Sequence, residues 1–257
     1  MSPLPEPIPN SKNRDRRTWK AQSMTALKKC KRYGERILRP DHMDFEFAFW
    51  QMVNLFANPR KVFIQFQYRK QIKDQFARDD PAFLVLLSIC FIVSASGLAL
   101  VLHLPFTAFL KFILWIVFID CVLIGVIVAT VFWYLANHCM RSPDAVEDVE
   151  WGFAFDVHLN ALFPPVMILH VFQLFFFNLF IVHDYFLARL MGNGLWLSAC
   201  FYYVYITFLG YTSVPWLQRT KWILYPIVPL ILFYVVSIIS GVNLCRIMMD
   251  FYHYRVY

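Results

Sequence analysis

The stretch Phe112–Ala136, FILWIVFIDCVLIGVIVATVFWYLA, holds 25 residues with a single charge, Asp120. A helix of this composition covers the roughly 30 Å of a bilayer core, which needs about 20 apolar residues at 1.5 Å each. Four further windows have the same character: Ala82–Leu104, Leu159–Val182, Leu195–Val214 and Trp222–Val242. The connections are too short to fold as separate domains, so the spacing predicts an all-α fold, a polytopic bundle of five transmembrane helices over 82–244. Composition agrees: of 257 residues 59% are hydrophobic and only 16% charged, against about 25% charged in soluble domains. A secreted disulfide scaffold, a disordered chain and a cytosolic enzyme are excluded.

Charge divides the chain. Residues 1–81 carry 17 Lys+Arg and 9 Asp+Glu, whereas residues 82–257 are close to neutral, so the formal +7 of the whole belongs to the first segment. Lys/Arg bias retains the basic flank in the cytoplasm, and the count is 20 on the N-terminal side of the bundle against four on the other. The N-terminus is therefore read as cytoplasmic, and five crossings place the tail 245–257 on the lumenal side. The first thirty residues lack the apolar run of a cleavable signal peptide, so none is expected. Six cysteines stand far apart without a C-x-x-C spacing, which reads as apolar packing residues, with no metal and no cofactor implied.

Between leader and bundle, 41–81 reads as two amphipathic helices. Phe45, Ala48, Phe49, Met52, Val53 and Phe56 recur at i, i+3, i+4, i+7, i+8 and i+11, one helical stripe. Asn58-Pro59 opens a second helix that mixes Val62, Phe63, Phe66, Ile72 and Phe76 with Arg60, Lys61, Arg69, Lys70 and Lys73. Such helices either lie on an anionic leaflet of the lipid bilayer or dock on the bundle. Asp80-Pro81 then caps the first span, with Pro at the first helical position. The leader 1–40 is Pro-rich and basic. Its cluster Arg14, Arg16, Arg17, Lys28, Lys29, Lys31 and Arg32 suits a polyanion, either an anionic leaflet or RNA, with Trp19 and Tyr33 available for stacking. A retention tract with no ligand is the plainer alternative.

Two polar features stand out in the rest of the chain. Asp120 inside the second span must face protein or water, because an ionised group near a helix centre costs about 2.5–3.5 kcal/mol. It is either an interhelical tie or part of an ion path, with His103, His170, Asn178 or a Tyr hydroxyl as partners. The connection 137–158 carries Asp144, Glu147, Asp148, Glu150 and Asp156 against Arg141 alone, and meets the basic helices across one face through Asp148 or Glu150. Asp156-x-His158-x-Asn160 resembles a ligand set in type but lacks the companions a metal needs. No Ser-His-Asp order, phosphate loop or H-E-x-x-H is present. Pro164-Pro165 and Tyr225-Pro-x-x-Pro229 break spans three and five, as transporter sites do and as tolerated kinks also do.

Several stretches resemble a known family: MDFEFAFWQM at Met43–Met52, YRKQ at Tyr68–Gln71, ARDDPAFLVLLS at Ala77–Ser88, WGFAFDVHLNA at Trp151–Ala161, FLGY at Phe208–Tyr211 and YHYRV at Tyr252–Val256. They are similar to the uncoordinated-fifty family from about His42 to the end. The resemblance implies a non-enzymatic multi-pass protein of the Golgi and endoplasmic reticulum, also of the inner nuclear membrane. It further implies a role in trafficking of nicotinic acetylcholine receptor subunits to the surface, a link to an Arf guanine-nucleotide exchange factor, and RNA binding. The sequence places the partner face on Phe45, Phe49, Trp50, Met52, Asp79, Asp80, Asp148, Glu150, Trp151, Asp156, His158 and Asn160. Other readings are a small transporter or channel using Asp120 and His170, and an RNA tether through the leader.

Overall fold

The computed structural model describes residues 34, 43–73, 78, 80–101, 103–145, 147–176, 183 and 185–256. Arg14, Arg16, Arg17, Lys28, Lys29, Lys31, Arg32, Asp79 and Asn178 lie outside them. The described chain forms helices and no strand. They are α1 (Phe45–Ala57), α2 (Pro59–Lys73), α3 (Ala82–Val101), α4 (Phe106–Met140), α5 (Trp151–Phe176), α6 (Phe186–Thr212), α7 (Thr220–Ile239) and α8 (Leu244–Val256). Helices α3 to α7 are each long and apolar enough to cross a membrane, so the chain is a multi-pass membrane protein in a lipid bilayer.

Local chemistry sets the boundaries. Asp44 caps α1, its Oδ1 accepting the Phe47 N–H at 2.8 Å. Asn58 closes that helix and Pro59 opens the next, with the Lys61 N–H donating to the Asn58 carbonyl. Asp80 caps α3 as its position before Pro81 predicts: Oδ1 accepts from Ala82 N–H at 2.9 Å. Its other oxygen accepts from Asp44 N–H at 2.8 Å, which ties the start of α1 to the start of the first span. Helix α4 runs 35 residues without a break, about 52 Å at 1.5 Å per residue, longer than the hydrocarbon core. It is underwound into wide π turns at Trp115–Leu123 and Ala136–Met140. In α5 the pair Pro164-Pro165 removes two amide donors, and a π segment, Met167–Phe172, follows directly.

The connections α4–α5 and α6–α7 meet at one end of the bundle. Gln218 N–H donates to Met140 O at 2.7 Å and Ser142 N–H to Trp216 O at 3.0 Å. Helices α1 and α2 pack against that same end; it is called the basic end below. An aromatic chain runs through it: Phe63 on Phe66, Phe66 on Phe153, Phe153 on Tyr211 and Tyr211 on Phe132, with centroids 5.6–5.9 Å apart. It joins α2, α5, α6 and α4 in one core, each pair adding about 0.5–1.5 kcal/mol beyond its burial. Gly210 permits this approach, since a Cβ there would stand 2.7 Å from Val157 Cγ1 and 3.1 Å from Phe63. Gly210→Ala is expected to cost about 1–3 kcal/mol as an overpacking defect, read as a lower melting temperature in detergent.

Candidate functional site

The basic end is where the chain concentrates its polar and aromatic groups. Helix α1 docks on α3 and α5 by burying Ala48, Gln51, Met52 and Leu55, with Phe45 and Phe56 partly buried beside them. Phe56 packs on Phe163 and Tyr202. The buried face is turned about a quarter turn from the stripe read in the sequence, at 100° per residue. Phe49 and Val53 of that stripe face outward, Phe49 with 64% of its surface exposed. The hairpin docks on the bundle, and an apolar outer face remains.

The rotation is explained by Gln51. Its Nε2 donates to Asn160 Oδ1 at 2.7 Å, and its Oε1 accepts from Arg78 Nη1 at 2.6 Å. Arg78 in turn donates its backbone N–H to Asp156 Oδ2 at 2.6 Å, and its Nε stands 3.5 Å from Asp156 Oδ1. The guanidinium lies 4.7 Å from the centroid of the Phe83 ring. Asp156 is 2% exposed, and Gln51, Arg78 and Asn160 are buried with it. A buried charge is tolerated only when paired and hydrogen-bonded, and this network of segment 43–80 with α5 does both. Asp156 and Asn160, one helical turn apart, thus serve one polar clasp. His158 points elsewhere, sharing a hydrogen bond of 2.8 Å with the Tyr203 hydroxyl beneath Gly125. Among the described residues no group of His, Cys, Asp and Glu is arranged to hold a metal ion.

The acidic connection meets the basic helices, and Glu147 is one acid that does so. Glu147 takes Lys70 at 2.6 Å, and Lys70 also lies 5.7 Å from the Trp216 ring centroid. Asp148 pairs with Arg141 of its own connection. Glu150 precedes α5 and its carbonyl accepts from the Phe153 and Ala154 N–H groups. Asn137 clamps this loop, its side chain accepting from and donating to the backbone of Val149. Trp151 stacks on Phe155 and donates to Thr130 Oγ1 at 3.1 Å. Trp50 stacks on Phe47 under the Lys61 ammonium. Gln51, Arg78 and Glu147 were not singled out in the sequence; a polar residue inside an apolar helical face was the visible sign of the first.

The two intramembrane polar residues are far from this end. Asp120 is held by both terminal nitrogens of Arg255, at 3.0 and 3.1 Å, a partner supplied by the tail. The sequence offered His103, His170, Asn178 or a Tyr hydroxyl instead. His103 lies in the exposed α3–α4 turn with φ +51. His170 sits edge-on to Phe91 with Ser94 Oγ 3.4 Å away.

This architecture is that of a polytopic helical membrane protein whose helical hairpin and loops build one polar, aromatic end. The chain belongs to the UNC-50 family, whose model matches residues 33–253. It is 47% identical to a protein unc-50 homolog of Drosophila melanogaster over 256 residues, covering 100% of this chain and 90% of that one. To the homologs of Homo sapiens and Danio rerio it is 51% and 52% identical, over 90% of this chain and 90% and 91% of theirs. The Drosophila alignment takes in the basic leader, beyond the His42 limit of the resemblance read from motifs. No solved structure matches the chain. The family is not a known enzyme family.

Proposed function

We propose that the protein is a non-enzymatic trafficking component of Golgi and endoplasmic reticulum membranes that recruits a cytoplasmic partner at its basic end. The observation carrying this reading is the outer face of the α1–α2 hairpin. Phe49 and Val53 on α1, and Ile64, Tyr68 and Ile72 on α2, are exposed, with Arg60 and Lys61 beside them. The hairpin itself is fixed by a buried core and a polar clasp. Exposed aromatics on a rigid frame are what a recruiting surface needs, since little side-chain entropy is lost on binding. The Lys/Arg bias supports placing this end in the cytoplasm. The family resemblance points to an Arf exchange factor as the recruited partner and to receptor subunits, nicotinic acetylcholine receptors among them, as cargo.

Proximity labelling from an enzyme fused to the N-terminus tests this. Phe49→Asp with Tyr68→Asp, at matched abundance and localisation, is expected to remove exchange-factor neighbours; an unchanged neighbour list sinks the reading. A conducting role for Asp120 has less support, because Arg255 occupies its carboxylate. RNA tethering through the leader is a separate proposal, read as binding that weakens steeply with salt and is lost on deleting residues 1–40.

A further inference from the structure

Helix α8 lies across the end of the bundle opposite the basic end. The chain leaves α7 through Gly241, whose φ of +76 glycine adopts without a Cβ penalty, and Arg189 Nη1 donates to the Gly241 carbonyl at 3.1 Å. Asn193 of α6 accepts the Leu244 N–H at 2.9 Å and donates to Val242 O at 2.8 Å, which fixes the first turn. Towards the other end of α8, Tyr252 packs edge-on against Phe112 of α4 and His170 of α5, with centroids 5.5 and 6.2 Å away. Arg255 reaches inward to Asp120.

Three helices set the depth of α8. The rings of Phe132 and Phe153, both packed on Tyr211, mark one level at the basic end. Asn193 stands 18 residues from Tyr211 on α6, His170 stands 17 from Phe153 on α5, and Phe112 stands 20 from Phe132 on α4. Each separation is about 25–30 Å at 1.5 Å per residue, the thickness of a bilayer's hydrocarbon core. Both ends of α8 therefore sit one core thickness from the basic end, and its 13 residues run along the membrane plane rather than through it. Its surface divides into three stripes of the same spacing, i, i+4, i+7, each turned about 100° from the last. Cys245, Met249 and Tyr252 pack on the bundle. Arg246, Asp250 and His253 are exposed and polar. Ile247, Phe251 and Tyr254 are exposed and apolar, with 51%, 46% and 81% of their surface open.

We propose that α8 is an interfacial helix seated at the headgroup–acyl boundary of the leaflet opposite the basic end, with Ile247, Phe251 and Tyr254 against phospholipid acyl chains and Arg246, Asp250 and His253 facing water. In water alone three large apolar side chains would stay wet. Sunk in hydrocarbon, Arg246 and Asp250 would lose their hydration. Only the boundary satisfies both stripes at once, and a tyrosine suits it with its ring in lipid and its hydroxyl at the headgroups. Asn193 at the first turn and Asp120 on Arg255 fix the rotation of the helix, which keeps each outer stripe in its own phase.

The test uses the full chain in phospholipid nanodiscs, with a water-soluble maleimide and peptide mass spectrometry to read each cysteine separately. Arg246→Cys and Asp250→Cys are expected to react roughly tenfold faster than Ile247→Cys and Phe251→Cys, because the reactive thiolate needs water. Equal rates on the two stripes overturn the proposal. A second readout needs no variant: a phospholipid with an aryl diazirine in its acyl chain is photolysed beside the unaltered chain. Adducts are expected on Ile247, Phe251 and Tyr254; adducts confined to the polar stripe, or none on α8, overturn the proposal. Sidedness is read in sealed microsomes with an impermeant maleimide, using the exposed Cys139 of the basic end as reference. Cys139 and Asp250→Cys are expected to label from opposite sides, and labelling of both in intact vesicles overturns the placement. Each readout is separate from partner recruitment at the basic end.

Discussion

Asp156→Ala lowers stability by about 3–5 kcal/mol. The carboxylate is 2% exposed and accepts the Arg78 backbone N–H while facing its Nε. Truncation removes the carboxylate that faces a guanidinium buried against the Phe66 and Phe83 rings. The Gln51 bond to Arg78 cannot neutralise it, since an amide oxygen carries no net charge. The effect is read as a drop in melting temperature in detergent, with residues 43–80 becoming protease-sensitive first because the clasp joins them to α5. The double variant Arg78→Met with Asp156→Leu is expected to recover more than half of the loss, because an apolar pair of similar volume removes both desolvation costs. A double variant as unstable as Asp156→Ala would mean that the site's shape, rather than its charge balance, holds the hairpin.

What the sequence made legible follows from the range of each interaction. Hydropathy is local, so five spans, the Asp80-Pro81 cap and the Asn58-Pro59 break could be read directly, while the starts of the second, third and fourth spans lie six to nine residues earlier than the apolar windows, at Phe106, Trp151 and Phe186. The lone acid in FILWIVFIDC was also visible as an anomaly. Its partner was not, because Arg255 lies 135 residues away on the segment read from the count of crossings as a lumenal tail. The Arg78–Asp156 pair, 78 residues apart, was hidden for the same reason. Asp156 and Asn160 were noticed for their residue types, but the spacing that matters is the full turn between them, and the chemistry is clasping a helix rather than holding a cation. Glu147 meets Lys70, and Arg141 pairs with Asp148 within the loop, pairings among like acids that loop geometry decides.

The stripe on α1 separates the two roles a helical aromatic can have, and a pair of matched substitutions shows it. Met52 is 4% exposed, in the interface with α3 and α5, so Met52→Asp places a carboxylate in an apolar interface. Loss of the thioether's packing alone costs about 2–5 kcal/mol, and burying the charge adds to this. The expected outcome is an undocked hairpin: rapid proteolysis across residues 43–73 and a lower melting temperature. Phe49→Asp, three residues away on the exposed side, is expected to change stability by no more than about 0.5 kcal/mol, leave proteolysis unchanged and still abolish partner recruitment. The contrast gives the recruiting surface a clean test, because a variant that includes Met52 or Phe45 would lose binding by losing the hairpin. Recruitment lost through Met52→Asp but kept in Phe49→Asp would assign the partner to the groove that α1 covers rather than to its outer face.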